Sequence, residues 1–336
     1  MAPMSQPRPS LGEHTTSIDA GAHVIAAAFL GRTPALALGD GTILLVDAGE
    51  PRRLTVHPDA AILVAAAEGD RLVTGGDDGR VVVTRADGTI ETAANEKGQW
   101  IDAVATRGDG AIAWSSGKAV RARDAKGEVR GWSPPSSVRG LCFTPKGYRL
   151  ACAHYNGASL WFPNASAAPE FLQWKGSHLD VTVSPDGRFL VTCTQENALH
   201  GWRILDRTQM QMRGYSGKPR SLAWSNDGEW LATSGAEACI LWPFQGKDGP
   251  IGKAPRECAV RPARVSRVAF HPKALLVALG YEDGFVMLCR LSDAAEIFVR
   301  QCESGAAVTA LAWDLDGRRL LFGTAAGEVG LVSPPA

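Results

Sequence analysis

The side chains that could carry chemistry in this chain are scattered cysteines, histidines, aspartates and arginines. Cys152-Ala153-His154 has the residue types of a metal site. Zinc, however, needs about four converging ligands, and no second pair stands nearby at matching spacing. Cys193 and His200 would have to be brought in from another part of the fold. A metal-handling protein built on Cys152, His154, Cys193 and His200 is therefore one alternative. The plainer expectation is buried thiols and a histidine beside a turn, with no bound metal. The Asp-Gly pairs, among them Asp40-Gly41, Asp186-Gly187 and Asp316-Gly317, lack the alternating carboxylates of a calcium loop. They are explained as hairpin turns. His57-Pro58 and His271-Pro272 look like residues leading into turns and not like general bases. The chain contains neither Gly-x-Ser-x-Gly nor a phosphate-binding glycine loop, so no catalytic residues and no cofactor are expected.

The elements that position these residues come from an internal repeat. An apolar run, a Pro/Asp/Gly turn, a second apolar run, a glycine turn and a third run recur about eight times. Val138–Phe162 and Arg220–Phe244 are the clearest copies. Leu179–Leu205, Val265–Leu291 and Val308–Val332 follow the same plan, and Val24–Asp47, Ile62–Arg85 and Trp100–Arg123 are looser. The turn between second and third runs is marked by Gly41, Gly79, Gly117, Gly157, Asn197, Ala238, Gly284 and Gly327, spaced 38–46 residues apart. Glycine and asparagine tolerate positive φ; Ala238 does not, so its turn must differ. A repeat of about 40 residues made of short strands predicts an all-β fold, a single β-propeller of four-stranded antiparallel blades.

Fourth strands are expected in the linkers, at Arg52–Val56, Thr89–Thr92, Val129–Trp132, Glu170–Trp174, Gln209–Met212, Glu257–Val260 and Glu296–Gln301. The last triplet has none of its own. Glu13–Ile18 is expected to pair onto it, closing the ring and removing two open sheet edges. This gives eight blades over residues 12–333, preceded by a disordered tail over 1–11. Seven blades would require Trp100–Arg123 to be absorbed elsewhere.

Ser184-Pro185-Asp186-Gly187-Arg188-Phe189-Leu190, Trp230–Gly235, Ile240-Leu241-Trp242 and Ala158-Ser159-Leu160-Trp161 resemble WD40 repeats. No unit keeps the Trp-Asp dipeptide: Trp161, Trp202 and Trp242 are followed by Phe, Arg and Pro. The Gly-His pair survives loosely in Gly21-Ala22-His23 and Gly176-Ser177-His178. The chain is similar in this to the divergent WD40 proteins of bacteria. The resemblance implies that the buried His/Asp/Ser/Trp relay is mostly missing and that apolar burial between blades supplies the stability.

The resemblance also implies that the first strand of each unit lines a central channel whose rim binds partners. Trp100, Asp102, Arg139, Asp180, Arg220 and Arg267 stand there. Arginine and tryptophan are enriched at interface hot spots, and an arginine fork suits carboxylates. The competing reading is that Arg139 and Arg220 merely pair with Asp180 across neighbouring blades. The expected function is a non-enzymatic scaffold binding a protein or peptide at this rim, with a small-ligand binder or enzyme centred on the channel as the other alternative.

Composition narrows the partner. Thirty-five basic residues balance thirty-five acidic ones, which argues against nucleic acid gripping the whole molecule. No apolar run is long enough for a membrane span, and the polar N-terminus lacks the core of a secretory signal. Seven cysteines, an odd number at irregular spacing, suit a reducing compartment. Cytoplasmic location is expected, and Trp132 and Trp174 are expected on outer strands, partly exposed.

Overall fold

The computed structural model describes residues 10–46 and 51–334. Its strands are short and antiparallel, joined by tight turns, and they fall into seven hydrogen-bonded sheets. Six of these have four strands each. The first runs Val24–Leu30, Thr33–Leu38, Thr42–Leu45 and Arg52–Thr55, and the second begins at Ile62–Glu68. The third, Ala103–Thr106 to Val129–Trp132, belongs to the unit Trp100–Arg123. That unit is not absorbed elsewhere; it forms its own sheet.

The expectation of eight blades is corrected to seven, one for each sheet. Two repeat units, Val138–Phe162 and Leu179–Leu205, share one six-stranded sheet. The reason is strand continuity. Leu150–Trp161 bonds to Val138–Phe143 through its first half and to Glu170–Val183 through its second. Glu170–Val183 in turn bonds onward to Phe189–Thr194 from His178 to Val183. Glu170–Val183 runs unbroken from one unit into the next, with Gly176 at φ +105° taking up the bend, so their ladders merge.

A strand stands in each of the seven linkers; the last four are Glu170–Val183, Gln209–Met212, Arg256–Cys258, which ends two residues short of the expected Val260, and Ala295–Gln301. At the N-terminus the strand is Thr15–Asp19, shifted slightly from Glu13–Ile18. It lies antiparallel to Glu328–Val332, from Thr15 opposite Val332 to Asp19 opposite Glu328. Of the expected tail, residues 1–9 lie outside the described residues. Ser10 bridges to Phe298, and the Leu11 amide donates to the Phe298 carbonyl at 2.8 Å.

The core lies between sheets. One apolar cluster joins Leu241 and Cys239 to Val277 and Leu279 of the next sheet. Another joins Val24 and Leu36, near the start of the chain, to Leu321 and Ala310 near its end. Close approach is obtained by seating a branched side chain of one sheet on a glycine of its neighbour. A Cβ added to Gly75 would lie 2.4 Å from Ile101, one on Gly280 2.4 Å from Val308, and one on Gly323 2.6 Å from Val24. Inner-strand hydroxyls add polar links: Ser266 donates to the Val308 carbonyl at 2.7 Å and Thr309 to that of Val24 at 2.6 Å.

The marker turns follow the glycine logic. Gly41 has φ +82°, and a Cβ there would meet the His57 carbonyl oxygen at 2.2 Å. Asn197 takes φ +52°; in the Ala238 unit the positive φ falls instead on Gly235, at +99°.

The buried polar relay is less depleted than expected. His57 does lead into a turn, its carbonyl accepting the Ala60 amide at 3.3 Å, but its ring is fully buried, with Nδ1 3.1 Å from Asp78 and Nε2 2.9 Å from the Thr74 hydroxyl. Facing a carboxylate, Nδ1 carries the proton and Nε2 accepts. In a second unit the Trp242 indole donates to the Tyr215 hydroxyl at 2.7 Å, which lies 2.7 Å from that of Thr233. Tyrosine stands there for histidine, which is why a search for Gly-His overlooks the relay.

Candidate functional site

Five of the six rim residues converge. Asp102, Arg139, Asp180, Arg220 and Arg267 line one central cavity of about 600 Å³, together with apolar wall residues such as Val64 and Leu141. Trp100 is absent from this wall; it lies 64 % exposed, next to Ile101, which is buried against Gly75. The inner strands bring these side chains together because successive units place equivalent positions side by side around the axis.

The pairing differs from the one expected. Arg139 donates to Asp102 at 2.9 Å and not to Asp180. The other Asp102 oxygen accepts the Gly117 amide at 2.8 Å. Asp180 accepts only its neighbour's amide, Val181, at 2.8 Å. It is exposed in the channel and yet surrounded by protein, and desolvation pushes its carboxyl up to about 6, against the opposing Val181 amide and Arg267 charge. Arg267 donates through Nε to the Thr309 carbonyl at 2.5 Å. Burial, and then the like charge of Arg220, draws its pKa below the usual arginine value. The Arg220 side chain makes no ion pair among the described residues.

Arg220 and Arg267 also line an adjoining pocket of about 460 Å³, with Lys218, Arg264 and Ser234. Arg264 is held by Glu282 at 3.0 Å. Lys218 makes no ion pair among the described residues. Two cations thus stand free beside a third whose charge they oppose, a wall suited to anionic groups. Sequence reasoning missed Lys218 and Arg264. Lys218 was detectable from its place in the run Gly217-Lys218-Pro219-Arg220; Arg264 sits just outside an inner strand and had no such signal.

The metal alternative does not assemble. His154 bonds the Ser159 hydroxyl at 2.8 Å, and His200 is stacked on Trp174 with ring centroids 4.1 Å apart. Among the described residues no three His, Cys, Asp or Glu side chains are placed to hold an ion. All seven cysteines are free, and burial pushes the Cys142 thiol up to about 11. No helix among the described residues is long and apolar enough to cross a membrane.

The radial sheets and the channel between their inner strands define a β-propeller. The WD domain, G-beta repeat family matches residues 207–242, and the WD40 domain family of anaphase-promoting complex subunit 4 matches residues 268–334. The chain is a β-propeller that carries WD40 repeats over these two stretches. No curated protein matches it significantly. Among solved structures, the computationally designed Ika8 protein superposes with a TM-score of 0.77 at 17 % identity, covering 94 % of this chain and 98 % of that one. At that identity the likeness speaks for the fold alone.

Proposed function

We propose that the protein is a non-enzymatic binding scaffold that docks an acidic protein or peptide segment at the channel mouth, with Arg139, Arg220 and Arg267 as its principal contacts and Trp100 on the outer rim. WD40 propellers are commonly protein-interaction scaffolds. What supports this reading most is the free Arg220 guanidinium beside Arg267 and Lys218, charges that repel one another and that a partner's carboxylates would neutralise. The wall bears cations, two aspartates and apolar groups, a set suited to recognition more than to proton transfer. Residues 12–333 would act as one rigid ring latched by Thr15–Asp19, presenting the rim without rearrangement. Seven free thiols fit a cytoplasmic setting.

The test is fluorescence anisotropy with a labelled glutamate-rich peptide, comparing wild type with Arg139→Glu/Arg220→Glu/Arg267→Glu, with circular dichroism to confirm folding. Binding that weakens with salt and disappears in the triple variant is expected. Equal binding by a folded triple variant would refute the rim.

A further inference from the structure

A second cleft, of about 670 Å³, adjoins the cationic pocket, and Asn197 stands on the wall of both. Its walls include Tyr155, Trp174, Lys175, His200 and Arg213. Tyr155 is 57 % exposed, an unusual position for an aromatic ring with no packing role. The Trp174 indole lies over His200, only 11° from parallel.

His200 is the anomaly. It is 1 % exposed, yet neither ring nitrogen has a hydrogen-bond partner. Buried polar groups are nearly always satisfied. Of its two ring neighbours, His178 is satisfied, bonding Thr192 at 2.7 Å and the Trp174 carbonyl at 3.1 Å, whereas the Trp202 indole N–H is also without a partner. Burial, with His178 nearby, lowers His200 to about 3, so at neutral pH it offers one N–H and one lone pair. Lys175 makes no ion pair among the described residues, and Arg213 bonds only Gln211. The cleft therefore combines aromatic faces, two available cations and an unused donor–acceptor pair.

We infer that this cleft is a tyrosine-binding subsite for the same acidic segment that docks at the arginine rim. The ring would pack against Trp174 and Tyr155. The phenol hydroxyl, which both donates and accepts, would serve His200, and flanking carboxylates would meet Lys175 and Arg213. This rests on the acidic-segment reading above and adds to it the identity of one side chain.

The probes are fluorescein-labelled peptides Glu-Glu-(Gly)n-X, with X as Tyr, Phe or Ala and n from one to four, spans of about 3 to 14 Å. Anisotropy is expected to show the Tyr peptide binding about tenfold tighter than Phe or Ala at one favoured spacing, since a site built for a hydroxyl rejects the analogue lacking it. His200→Phe should abolish the Tyr preference and leave the Ala peptide unchanged, and thermal melting checks that the variant folds. Equal affinity for all three peptides at every spacing would overturn the subsite and leave the rim reading intact. Equal affinity for Tyr and Phe above Ala would overturn the role of His200. If no peptide binds, the rim reading and the subsite both fail.

Discussion

Gly323→Ala tests whether the two ends of the chain truly pack together. The position has ordinary extended backbone, so alanine adds no φ strain there. Were Gly323 unopposed, the substitution would stabilise the protein by about 0.4–1 kcal/mol, by restricting the unfolded chain. In the structure an added Cβ lies 2.6–2.8 Å from three atoms of Val24, about 1 Å too close for carbon–carbon contact. Overpacking of this kind costs about 1–3 kcal/mol. The net expectation is destabilisation by about 1–2 kcal/mol, so the sign alone discriminates. Val24→Ala by itself removes fully buried methyls and should cost about 1–3 kcal/mol. Combined, the smaller residue makes room for the added methyl. The double variant should then be more stable than the sum of the singles by about 1 kcal/mol. Urea midpoints at constant slope measure all four proteins. A stabilised Gly323→Ala, or strict additivity, would refute the contact between first and last sheets.

Four further outcomes follow from the buried polar groups and the N-terminal strand. His57→Ala should destabilise by about 2–4 kcal/mol, by removing the imidazole that links Thr74 to Asp78 and opening a void, whereas Pro58→Ala, at an exposed position, should stay within about 0.5 kcal/mol; chemical denaturation compares them. Asp180 is held at about 6 in the fold and lies near 4 unfolded, so its contribution is most favourable below pH 4 and is lost as pH rises through 6. Asp180→Asn should therefore gain stability at pH 7.5, by less than about 1 kcal/mol because channel water screens the charge, and the gain should vanish by pH 4 in melts run across that range. His57, His154, His178 and His200 are all lowered by burial, so the stability they contribute is full above pH 6.5 and falls as pH drops toward 3. Acid unfolding should begin below pH 6.5 and shift to lower pH in His200→Phe. Deleting residues 1–19 removes the partner strand of Glu328–Val332 and exposes its edge; light scattering should show aggregation on warming that the full chain does not.

Much of the architecture could be read because each repeat is local. Val138–Phe143 and Gln209–Met212 announce themselves through short-range alternation and turn residues that need positive φ, and these act within a dozen residues. The same locality hid what lies between units. Continuity through Glu170–Val183, which merges two units into one sheet, depends on a linker running on as one strand, and the residues of Lys175-Gly176-Ser177 look like a turn. His57 looked like a residue ahead of a proline because its partners, Thr74 and Asp78, come from the following strands. The rim was found by position and its ion pairs were not. Arg139 chose Asp102 because the choice depends on angles around the axis, and a one-dimensional register carries no such angle.

The sequence by itself determined the repeat, the strand order within each unit and the type of charge lining the axis, since periodicity and turn chemistry are properties of neighbouring residues. Only the tertiary structure decided which cations are left unpaired, that Lys218 and Arg264 extend the cationic wall, and that His200 lines a cleft beside Trp174 with neither ring nitrogen bonded. Those outcomes arise from distances across sheets, where a displacement of an ångström or two separates a salt bridge from a free charge.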